Sequence, residues 1–165
     1  MKNGTSLTAI ALMLLVSAQV SAHAPTIVSP MFKVCAQSLP GVTYHVTDGL
    51  DAAGGAAHRG RASIDIMIGR TLDRPPGMKR YDPSQTLPDA ITPLDESTGA
   101  NGRGKAKLLG FGFGMVRNVG PKPFQDQVFI VLTAADGAAN TALLNQVNSA
   151  LVRCPIEKRK AKVSQ

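Results

Sequence analysis

The chain contains no tryptophan, two tyrosines and five phenylalanines in 165 residues. So few rings leave little on which successive bases could stack, the usual platform for single-stranded nucleic acid. Nucleic acid is therefore not an expected partner. Thiols are equally scarce: Cys35 and Cys154 are the only cysteines, and neither has a histidine close by in sequence. That excludes the common zinc sites, which gather four Cys and His ligands at short spacings. Neither a phosphate loop nor a nucleophile elbow nor a calcium-loop pattern is present. No cofactor and no catalytic set is expected, so the chain reads as non-enzymatic.

Long apolar runs are also missing. The most apolar stretch, residues 7–16, is about ten residues long, well short of the roughly 18 that a membrane-spanning helix requires. It follows Lys2 and precedes small residues, the three-part pattern of a signal peptide. Val20-Ser21-Ala22 fits the small-residue rule for cleavage and places His23 at the mature N-terminus; Val16-Ser17-Ala18 is a second acceptable site, cut after Ala18. The expected organisation is a cleaved signal over 1–22, a single domain over 23–155 and a basic, disordered tail over 156–165. Location is then periplasmic or secreted, and not membrane-spanning. In an oxidising compartment two cysteines are expected to pair, closing a loop across most of the domain.

Positive charge is in excess, with a formal net of +7. The tail carries Lys158, Arg159, Lys160 and Lys162 against Glu157. Such a tail is commonly solvated, and it could also touch anionic envelope polymers.

Periodicity gives four strands and two helices. Ser29 reads as an N-cap and Pro30 as the first position of a helix over 31–39, which Pro40-Gly41 ends. Residues 42–47 read as a strand and 48–60, rich in Gly and Ala, as a turn. In 62–70, Ile64, Ile66 and Ile68 share one face of a strand. In 107–117, Leu109, Phe111, Phe113 and Met115 share one face and Gly110, Gly112 and Gly114 the other, open for a docked helix or a ligand groove. Residues 127–133 are apolar on both faces and read as a central strand. Asn140 reads as the N-cap of a helix to Arg153, with Leu143, Leu144, Val147, Ala150, Leu151 and Cys154 on one stripe. The expected fold class is α+β: a four-stranded, mainly antiparallel sheet with both helices on one face and an inter-helix disulfide.

Residues 71–106 then form a 36-residue connection holding five of the eleven prolines. Connections this long are commonly binding loops or disordered. Arg74, Lys79, Arg80 and Tyr81 are its candidate contacts, since Arg and Tyr are frequent binding anchors. The favoured expectation is a binding protein, of inhibitor or immunity type, acting on an envelope or secreted protein or other envelope macromolecule. A second reading is copper binding, with the amine and imidazole of His23 joined by His45 or His58. A third is a structural envelope component. Ser63, His45 and Asp65 offer only a loose hydrolytic set, and Asp48 with Asp51 fits ordinary turn chemistry.

Overall fold

A computed structural model describes residues 24–72, 77–78, 85–98, 103–114, 117–119 and 122–155. The chain is mostly β. A six-stranded antiparallel sheet runs in the order β3 (Thr43–Asp48), β4 (Ala52–Arg59), β5 (Ala62–Gly69), β10 (Gln127–Ala134), β7 (Lys105–Gly112), β6 (Thr92–Thr98). A three-stranded antiparallel sheet has the order β1 (Thr26–Ser29), β2 (Val34–Ala36), β11 (Leu151–Arg153). β8 (Arg117–Val119) and β9 (Lys122–Phe124) form a separate ribbon. The one helix among the described residues is α1 (Ala138–Ala150), too short to cross a membrane.

The expected α+β arrangement is therefore overturned, and the first correction lies at 31–39. Ser29 Oγ does accept from the Phe32 amide at 3.3 Å, as an N-cap would. But Lys33 takes φ 53°, a left-handed conformation that stops the turn, and its amide bonds back to Pro30 O. The chain then runs extended through Val34, Cys35 and Ala36, all buried at the centre of the small sheet. Tertiary burial on both sides outweighs a local helix-start signal.

The 48–60 segment is likewise not a turn. Only residues 49–51 turn, closed by the Gly49 amide on Ala52 O, and the Gly/Ala run is strand β4. Its small side chains let β3 come close: a Cβ on Gly55 would overlap the His45 carbonyl oxygen. The expected strands at 42–47, 62–70 and 127–133 correspond to β3, β5 and β10, with β10 central between β5 and β7. The one expected at 107–117 is shorter: β7 ends at Gly112, Met115 lies outside the described residues and Arg117 belongs to β8. Residues 71–106 are not one loop. They contain edge strand β6, which pairs with β7 along its whole length.

One face of the large sheet carries Ile64, Ile66 and Ile68 from β5, Ile130 and Leu132 from β10, and Phe111 from β7, all fully buried. Leu143, Leu144 and Val147 of α1 pack in the same core, as do Val28 and Val34 of the small sheet and Phe32 of the turn between β1 and β2. Each such side chain contributes about 1.5–3 kcal/mol by leaving water. α1 is capped at Gly137 rather than Asn140. Asn140, inside the first turn, instead accepts from the Ser63 amide and donates to the carbonyls of Ala135 and Asp136.

The glycine face of β7 is covered, but not by a helix. A Cβ on Gly110 would press on Leu94 and Leu87, and one on Gly112 would overlap the Gln125 amide. Gln125 in turn accepts from the Leu87 amide at 2.8 Å and donates to its carbonyl at 3.1 Å. The stretch from Leu87 is thus laid across the sheet and stitched to it.

Candidate functional site: a cationic end

The Cys35–Cys154 disulfide is formed. It does not link helices: Cys35 lies in β2, and Cys154 follows β11, whose Val152 pairs with Cys35. The Cys154 amide donates to Lys33 O at 2.9 Å, so the bond pins the last described strand against the 30–33 turn. That turn is fixed from the other side by Asp48, whose carboxylate accepts from Ser29 Oγ at 2.6 Å and from the Met31 amide at 2.8 Å. Asp48 ends β3, so the turn sits at the end of the large sheet where the β3–β4 hairpin reverses.

Four side chains from distant parts of the sequence meet there. Phe113 follows β7, its amide held by Asp126 O, and its partly buried ring lies edge-on to Phe111 at 6.2 Å. Around that ring stand Lys33 Nζ at 5.8 Å, the Arg70 guanidinium at 5.9 Å and the Arg153 guanidinium at 5.8 Å. Arg153 also lies 5.1 Å from the Phe111 ring and donates to Gly112 O and Asp89 O. Cations within about 6 Å of an aromatic face are attracted by its quadrupole, at about 0.5–1 kcal/mol each when exposed.

The charge balance is uneven. Arg153 lies 3.7 Å from the Asp89 carboxylate, itself largely solvent-facing. Among the described residues no ion pair links Lys33 or Arg70, both exposed, to a carboxylate. Three cations on one ring repel each other, and an incoming carboxylate relieves that repulsion. Two large apolar side chains are exposed in turns at this end of the sheet: Met31, 43% exposed, in the turn that carries Lys33, and Leu50, 93% exposed, in the β3–β4 turn. Chemically this end can hold an acidic, partly apolar surface.

A paired charge lies on the β6 edge. Lys107 donates to Glu96 at 2.9 Å on the β6 edge, and this hydrogen bond with its Coulomb attraction holds the Glu96 carboxyl below its ordinary range. The pair stabilises the edge above the ordinary Glu pKa and ceases to do so as pH falls through the depressed value; its exposure keeps the effect small. Burial raises the Tyr44 phenol above its ordinary value.

Arg74, Lys79, Arg80 and Tyr81 lie outside the described residues, as do His23, the signal 1–22 and the tail 156–165. The loose hydrolytic set is not brought together: Asp65 and His45 are both opposite Ala56, one on each side of it. Asp48 is tied to the 30–33 turn rather than paired with Asp51. Sequence reading missed Lys33, Arg70, Phe113 and Arg153 because no spacing links them. Compared with protein families, with curated proteins and with solved structures, the chain matches none.

Proposed function

We propose that the chain is an exported, non-enzymatic binding protein, periplasmic or secreted, whose cationic end docks an acidic surface of another envelope or secreted protein. An inhibitor or immunity-type role suits that mode of action. The observation that supports it is the gathering of Lys33, Arg70 and Arg153 round the Phe113 ring, of which only Arg153 has an ion-pair partner among the described residues, Asp89. Arg is enriched among binding hot spots. Arg74, Lys79, Arg80 and Tyr81 remain our proposed additional contacts.

The test uses point changes, because shortening 71–106 would remove β6 and break the sheet. Lys33→Glu with Arg70→Glu reverses two exposed charges and should leave the melting temperature nearly unchanged, as surface changes generally do. Affinity capture from an envelope extract with the wild-type mature chain should enrich an acidic protein that elutes with salt. The double variant should lose it, since like charges facing each other cost several kcal/mol at an interface. Equal capture by both chains, or none by either, would refute the reading.

A further inference from the structure

His45 and His58 are thirteen positions apart in sequence but adjacent in space. In the β3–β4 register His58 faces Thr43 and His45 faces Ala56, so the two are diagonal neighbours on one side of the sheet. Their ring centroids are 5.8 Å apart, with planes tilted by 52°. This side is opposite the core: Tyr44 and Val46 alternate with His45 towards the core, whereas His45 is exposed and His58 partly so. On β5 the same side presents Ser63, exposed Asp65 and Met67. Besides His58, β4 offers only the small residues Ala52, Gly54 and Ala56 on this face, with the Met67 side chain lying over Gly54.

We propose that His45 and His58 form a two-histidine site for a divalent transition-metal ion of the copper and zinc class. An imidazole nitrogen binds such an ion at about 2.0–2.1 Å, which puts each ring centroid about 3.2 Å from it. Two rings on one ion are then about 5 Å apart at a tetrahedral angle and about 6.4 Å apart in a trans arrangement. The observed 5.8 Å falls between these limits, so small side-chain rotations bring both nitrogens onto one ion. Hydrogen-bonded strands hold the two backbones in place beforehand, which reduces the ordering cost of binding.

Among the described residues no group of three or more His, Cys, Asp or Glu is arranged around an ion. The protein thus supplies two ligands, and water or a donor from another molecule fills the remaining positions. Asp65, across Ala56 from His45 and diagonal to His58, adds negative charge on the same face. Imidazole donors favour Cu(II) over Zn(II) by the usual order of divalent affinities. This site lies on the open sheet face, away from the cationic end, and does not depend on the acidic-partner reading.

The test is calorimetric titration of the mature chain with Cu(II) and with Zn(II), repeated on His45→Gln, His58→Gln and His23→Gln. Wild type should bind one ion per chain at this site, more tightly for copper. His45→Gln and His58→Gln should each weaken it by more than about tenfold, since even losing a group that only orients a ligand costs about that much. His23→Gln should retain the site. Electron paramagnetic resonance of the copper-loaded His23→Gln chain should show two imidazole nitrogens, a readout that leaves both proposed ligands intact. In the His23→Gln background, uptake that survives loss of both His45 and His58, or the absence of saturable binding with both present, would overturn the proposal.

Discussion

Asp48 joins segments that lie 17 and 19 residues apart in sequence, through Met31 and Ser29. Removing its carboxylate leaves a hydroxyl and an amide without their acceptor and releases the turn that carries Lys33. Losing hydrogen bonds to a charged acceptor costs about 1.5–3 kcal/mol. Asp48→Ala should therefore lower the urea midpoint by that amount of stability with an unchanged slope, and Asp48→Asn should recover part of it. An unchanged midpoint for Asp48→Ala would mean that the turn is held without Asp48. Only half of this arrangement was legible in the sequence. The Ser29 bond to a following amide is legible because it is local, although the helix it was expected to start does not form. Its second bond, to Asp48, depends on how β1 and β3 come together, and no local signal encodes it.

Strands with one apolar and one polar face were readable from alternation, as β5 was from its three isoleucines. β4 was not, because AAGGAAHR has no such alternation and its composition is that of a turn. Its conformation is imposed by pairing with β3 on one side and β5 on the other. The same strand supplies a sharp contrast between neighbouring glycines. A Cβ on Gly55 would overlap the His45 carbonyl and lie 2.7 Å from Val46 Cα, both backbone, whereas one on Gly54 would meet only the flexible Met67 side chain. Gly55→Ala should destabilise by about 1–3 kcal/mol, the cost of overpacking, and displace β3. Gly54→Ala should melt close to wild type. Equal melting temperatures for the two variants would contradict the β3–β4 register, and with it the histidine pair.

At the scale of the molecule, the disulfide was legible by counting, since two cysteines allow only one intramolecular pair. Its setting was not. The bond joins the strands that bring the two ends of the described chain together in the small sheet, with a sequence separation of 119. In the chain-entropy account a loop of this size restricts the unfolded state by about 4.7 kcal/mol. The same closure creates the cationic end, because it brings Arg153 and Lys33 beside Phe113. Charges at 33, 70 and 153 form no run in the sequence, so only the fold reveals them as a group, whereas the tail charges are nearly consecutive and legible directly. The most direct test is amide shift mapping of residues 23–165 with a glutamate-rich peptide. Shifts centred on Lys33, Arg70, Gly112 to Gly114 and Arg153, fading as salt is raised, are the predicted result. Shifts confined to residues 156–165, or none at the sheet end, would contradict it.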